Sequence, residues 1–341
     1  MSSGDSRGFL ATLVGDGRPV IIFSAIVLAL AGAGAIFLSV TGHFLPHDVE
    51  FLGMEPFALC ELNQCRIVHF MIHDRMSFGG VLVSIAVLYL WLALFPLKEG
   101  ESWAWWIIAL TNATGFGSFL AYIGYGYLDS WHATATAGLL PFSVFGLWKT
   151  RKLCLRPLTR ACGSLPSSWR SRAGYGWLCW MAWGLGMTAA GATILVVGMT
   201  LVFVPSDLTF IGYTREQLDA INPRLIPLIA HDRAGFGGGL FSTGLLVLAI
   251  VWKARPSRHL WQALVFAGVA GFGCAIGVHY PIGYLDFWHL APAWAGGAIF
   301  IAGACFSWRQ WEVNPHSDSA PRRNASRPSQ ALASTTATNR D

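Results

Sequence analysis

At two points the sequence sets an imidazole, a carboxylate and a guanidinium side by side, His73-Asp74-Arg75 and His231-Asp232-Arg233. Downstream of each, a second carboxylate and imidazole follow at helical spacing, Asp129 with His132 and Asp286 with His289. Residues three apart share a helix face, so each pair can act as two ligands, or as a ligand and its orienting carboxylate. Mixed imidazole and carboxylate sets suit iron, manganese or zinc, and imidazoles facing each other across helices suit haem iron. Neighbours in His-Asp-Arg diverge by about 100° around a helix. A histidine turned to the bundle centre therefore leaves Asp74 or Arg75, and Asp232 or Arg233, for an adjoining helix.

These residues sit in longer signatures that occur twice. His-Asp-Arg-x-x-Phe-Gly-Gly runs from His73 to Gly80 and from His231 to Gly238, and Gly-Tyr-Leu-Asp-x-Trp-His from Gly126 to His132 and from Gly283 to His289. Between them recurs Gly-Phe-Gly, at Gly115 to Gly117 and Gly271 to Gly273; ahead of them recurs Pro-x-Asp-x-x-Phe-x-Gly, at Pro46 to Gly53 and Pro205 to Gly212. The chain reads as two copies of one unit.

The elements that must position these groups are membrane helices. The sequence is 54% hydrophobic and 12% charged, where soluble chains carry about 25% charged residues. Apolar stretches long enough for a roughly 30 Å hydrocarbon core occur at 19–41, 68–96, 103–125, 132–149, 174–204, 227–252, 261–282 and 289–308. The expected fold is all-α and polytopic: eight transmembrane helices as two tandem four-helix units, 19–149 and 174–308. A cytoplasmic tail (1–18) precedes them, a basic linker (150–173) joins them and a disordered tail (309–341) follows. Four spans per copy give both copies the same orientation, a parallel repeat about the membrane normal.

All Lys and Arg except Arg66, Arg75, Arg215, Arg224 and Arg233 fall in the tails, the linker and the loops near 97–102 and 253–260. Basic loops stay in the cytoplasm, so both termini are expected there, with the motifs near the outer face of a bacterial inner membrane. The positive charge is thus a topology signal and does not point to nucleic acid. The outer loops, 42–67 and 205–226, are placed to cap a cavity or simply to connect spans, with Thr214 set to cap a short helix. Cys60 and Cys65, on that side, are a disulfide if it is oxidising and two thiols otherwise.

Ionisable groups in a bilayer normally face partners or water, and several readings fit these. His73 with His132, and His231 with His289, can be axial pairs for haem, with Arg75 and Arg233 on its propionates. The same imidazoles can instead hold non-haem iron, manganese or zinc, with Asp74, Asp129, Asp232 and Asp286 as catalytic, orienting or ligating carboxylates. A third reading is proton-coupled transport of a small solute, and a fourth has only Asp–Arg and Asp–His staples between helices. The glycine pairs 79–80 and 237–238 suit either close helix packing or a flat cofactor. His69 faces Pro227 in the other copy and is read as incidental; His279 faces Tyr122 and is read as bonding a neighbouring helix. Tyr127, Tyr284, Trp103, Trp105, Trp106, Trp131 and Trp288 are read as interfacial anchors.

In layout the chain resembles heme A synthase, whose family has eight spans in two four-helix halves, histidines on even-numbered spans near the outer face and a cysteine pair in the first outer loop. His73, His132, His231, His289, Cys60 and Cys65 occupy those places, over about residues 20–308. The resemblance implies a haem-binding membrane oxidoreductase with an electron-transfer partner or small-molecule substrate. Phe70 and Leu228 stand where that family carries glutamate three before the histidine, and arginine follows at the second position here rather than the first.

Overall fold

The computed structural model describes residues 14–127, 130–155, 166 and 168–308, with the backbone alone for 121, 122, 125 and 130–132. The basic tails and most of the linker lie outside these. Among the described residues the chain is helical, with no strand. The long helices of the first half are α1 (Arg18–Thr41), α4 (Arg66–Leu94), α5 (Ser102–Ala121) and α6 (Ser130–Thr150), with short α2 (Pro46–Leu52) and α3 (Pro56–Asn63) between α1 and α4. The second half runs α7 (Arg172–Met199), short α8 (Pro205–Ile211) and α9 (Arg215–Ile221), α10 (Leu225–Lys253), α11 (Arg258–Gly277), the single turn α12 (His279–Ile282) and α13 (Phe287–Ser307). Six segments are long and apolar enough to cross a membrane: α1, α4, α7, α10, α11 together with α12, and α13.

Local chemistry sets the helix ends. Proline opens α1, α2, α3 and α8, where its missing N–H costs no hydrogen bond. Side chains cap others: Ser171 starts α7, Ser257 starts α11 and Asp286 starts α13. Thr214 and Gln217 form the expected reciprocal cap of α9.

The helices bearing His-Asp-Arg, α4 and α10, lie at the centre: 67% and 72% of their most apolar windows are buried, against 22% to 28% for the other candidate spans. They touch each other, and each packs on the first helix of its own half, α4 on α1 and α10 on α7. Glycine permits the α1–α4 approach, since a Cβ on Gly32 would stand 2.6 Å from the Gly79 carbonyl oxygen.

The third long helix of each half crosses to the opposite half. α5 packs on α10 and α11 on α4. Ser84 donates to the Ala267 carbonyl across the α4–α11 contact at 2.7 Å, and Thr114 bonds Ser242 across the α5–α10 contact at 2.7 Å. This exchange decides which histidines meet. Whatever follows α11 in sequence is delivered beside α4 of the other half.

The short helices cover the motif end and are also stitched across halves. Asn63 donates to the Ile211 carbonyl and Asn222 to the Leu52 carbonyl, at 2.8 and 2.9 Å. Cys60 and Cys65 are joined in a disulfide.

Candidate metal centre

His73 and Asp74 on α4, and His231 and Arg233 on α10, are buried. A buried guanidinium needs carboxylate partners, and each arginine has two. Arg75 meets Asp48 at 2.7 Å and Asp232 at 2.8 Å. Arg233 meets Asp207 at 2.8 Å and Asp74 at 3.2 Å, and donates to the Val202 carbonyl at 2.8 Å. Every arginine thus takes one aspartate from the Pro-x-Asp segment of its own half and one from the His-Asp-Arg of the other. Removing one partner of such a buried pair typically costs about 3–5 kcal/mol, because the other charge is stranded.

The second oxygen of each carboxylate faces a further group. Asp74 Oδ1 is 3.0 Å from His73 Nδ1, and Asp232 Oδ1 is 3.2 Å from His231 Nδ1. Asp48 and Asp207 accept from the phenols of Tyr127 and Tyr284, at 2.8 and 2.9 Å. The result is two related clusters, one around Arg75 and one around Arg233.

The Arg233 cluster carries more. His73, His279 and His289 bring one ring nitrogen each to within 4.8 Å of the others. Their ring centroids are 4.5 Å (His73–His279), 5.3 Å (His279–His289) and 5.4 Å (His73–His289) apart. Tyr284 stacks on His289 at 4.3 Å, and its hydroxyl lies 3.1 Å from His289 Nδ1. Burial and the adjacent Asp207 carboxylate push the Tyr284 phenol up from its ordinary range, so it stays protonated. His279 is 3% exposed, and the one polar contact of its ring is with the Ala275 backbone one turn back, outside good hydrogen-bond geometry. Buried polar atoms are rarely left so; a metal ion would satisfy one of them.

A compact ion suits this three-imidazole geometry, and a haem gripped by His73 and His289 does not; the His73–His132 pair falls outside the described residues. His279 is nearly equidistant from His73 and His289, so it occupies the plane midway between them, where a macrocycle held by those two would lie. The glycine pairs offer no flat slot either: Gly79 is met by Gly32 and Ile36, Gly80 by Ala270 and Cys274, Gly237 by Leu195 and Gly238 by Ser118. Both arginine forks are already on carboxylates, which leaves them unsuited to propionates.

The structure rearranges several sequence expectations. His289 meets His73 of the other half, not His231 of its own, because α11 crosses over. His231 lies instead beside Tyr127, ring centroids 5.0 Å apart. Asp286 is exposed and caps α13 by accepting from the His289 backbone N–H at 2.7 Å, so its spacing from His289 is that of a helix cap and not of two ligands. Asp74 and Asp232 each set one oxygen at the neighbouring imidazole and the other on the arginine of the opposite half, the pairing of the staple reading. Asp129 and the His132 side chain lie outside the described residues. His69 is not among the three clustered histidines.

Asp48, Asp207, His279, Tyr127 and Tyr284 were not among the expected site residues. The two aspartates and two tyrosines stand in doubled signatures, a signal that could have found them. His279 stands where the first half has Tyr122, so no doubled signature marks it. Tyr127 and Tyr284 are buried hydrogen-bond donors, not interfacial anchors. Comparison with family models, with curated proteins and with solved structures finds no match for this chain.

Proposed function

We propose that this is a membrane metalloprotein with a non-haem transition-metal ion at His73, His279 and His289, serving redox chemistry near the outer face. The observation that carries the reading is the convergence of three imidazoles from both halves, with one ring nitrogen of each within 4.8 Å of the others. In this reading α5 and α6, 20 and 21 residues long, complete eight spans as two parallel four-helix units. The doubled signatures and the basic loops support that topology, with both termini cytoplasmic in a bacterial inner membrane.

Three neutral nitrogen ligands suit iron, zinc, copper or nickel better than manganese. Asp74 and Asp207 are engaged by Arg233 and are poorly placed to ligate. Three protein ligands also leave a coordination position open, the arrangement of catalytic rather than structural sites. A small-molecule substrate or an electron partner would use that position.

Elemental analysis and absorption spectroscopy of the purified protein test the reading. One transition-metal ion per chain, lost in His279→Ala, is expected. A Soret band would return the site to haem, and metal-free protein that takes up no added ion would overturn the proposal.

A further inference from the structure

We infer that Tyr284 is a positioning residue that fixes which nitrogen of His289 faces the metal, an inference that rests on the metal reading above. Asp207 Oδ2 is taken by Arg233 at 2.8 Å and by the Val204 backbone N–H at 2.8 Å. That leaves Oδ1 to accept the Tyr284 O–H. A phenol has one hydrogen to donate. With that hydrogen spent on Asp207, the phenol oxygen can only accept from its other neighbours, the Ser206 hydroxyl and His289 Nδ1, the latter at 3.1 Å. His289 therefore carries its proton on Nδ1 and presents the Nε2 lone pair.

His73 reaches the same tautomer by a shorter route. Its Nδ1–H donates to Asp74 Oδ1, whose other oxygen is held by Arg233 Nε at 3.2 Å. Arg233 thus anchors both lines, Asp74 to His73 directly and Asp207 through Tyr284 to His289. Second-line partners of this kind orient the ring and raise ligand basicity. The Asp207 line also reaches the covering segment, since the same carboxylate caps α8. The position of that cap and the setting of His289 are therefore linked through one side chain.

Tyr127 supplies the control. It makes the matching bond to a buried aspartate, Asp48, at 2.8 Å, but stands beside His231 and away from the three-histidine group. Tyr284→Phe keeps the ring stacked between Phe210 and His289, at 4.4 and 4.3 Å, and removes only the hydroxyl.

The test titrates Co(II) into purified wild type, Y284F and Y127F, reading visible absorption, with thermal midpoints measured alongside. Y284F should bind Co(II) about 10–100-fold more weakly, and Y127F like wild type. Nitrogen-15 spectra of the metal-free proteins should show the Nδ1–H form of one histidine lost in Y284F alone. Wild type that binds while Y284F binds equally would overturn this inference and spare the metal site. Equal weakening in Y284F and Y127F, tracking their thermal midpoints, would reduce Tyr284 to a structural role and also overturn it. Wild type that binds no Co(II) would remove the metal reading and this inference with it.

Discussion

The Arg75 and Arg233 clusters share a skeleton and differ in what hangs on it. Each has a guanidinium between two carboxylates, one from each half, with an imidazole and a phenol on the far oxygens. Around Arg233, Tyr284 lies flat on His289, with planes 28° apart, and His279 completes a three-imidazole group. Around Arg75, Tyr127 meets His231 edge-on at 86°, as Tyr284 meets His73 at 64°; the side chain of His132, which stands where the second half has His289, lies outside the described residues. The skeleton is a staple between the halves. The third imidazole is an addition to one copy, and it is the addition that looks like chemistry.

The largest effect should come from breaking the staple. Arg233→Gln strands Asp74 and Asp207, and a loss of about 3–5 kcal/mol is expected from such a pair. Arg75→Gln should cost less, because its side chain is 15% exposed against 7% for Arg233 and water can reach its carboxylates. Thermal unfolding of both variants in one detergent measures the difference. Equal losses would mean that the two clusters are equally dry and that this part of the comparison is wrong.

His279 should behave in the opposite sense. A residue kept for packing is missed when it is removed, whereas one kept for a ligand burdens the empty protein. His279→Leu takes away a buried imidazole whose nitrogens make no hydrogen bond of good geometry, the Ala275 backbone being their one polar contact. The metal-free protein should therefore gain stability, by about 1–3 kcal/mol, while metal content falls to nothing. A destabilised variant that still binds metal would make His279 a packing residue.

Much of this was legible in the sequence, and the failures have physical causes. The doubled signatures marked His73, His289, both arginines and the central helices, because residues repeated in apolar surroundings need partners. Pairing within each copy looked natural from spacing alone. For His231 and His289 it fails because α11 packs on α4, an exchange between halves that no local pattern records. His279 stands opposite Tyr122 in the other half, where it could either distinguish the two sites or bond a neighbouring helix, and only the packing of α11 on α4 brings it beside His73. Asp48 and Asp207 were in plain view in a repeated segment, but a carboxylate in a loop reads as solvated until the loop is seen to fold over the site.

A subtler difference should separate the two carboxylates beside the histidines. Asp74→Asn removes the negative charge and leaves one acceptor oxygen for the two donors, His73 Nδ1–H and Arg233 Nε–H, and metal affinity should fall by about 10–100-fold. Asp232→Asn makes the same change beside His231 and should leave that affinity alone. Isothermal titration with zinc in both variants checks this. Equal losses would show that the metal site draws on both clusters.

The smallest expected effect concerns Asp286, whose carboxylate could be taken for chemistry. It is exposed, and its one close bond is to the His289 backbone N–H at 2.7 Å. Losing a helix cap costs about 0.5–2 kcal/mol, so Asp286→Ala should lower the thermal midpoint a little. Because the capped N–H belongs to a ligand residue, fraying of this first turn should also weaken metal binding slightly. Serine is a good cap with no carboxylate, so Asp286→Ser should restore both. If Asp286→Ser behaved like Asp286→Ala, the carboxylate itself would matter, and the site would reach further toward the exposed end of α13 than its geometry indicates.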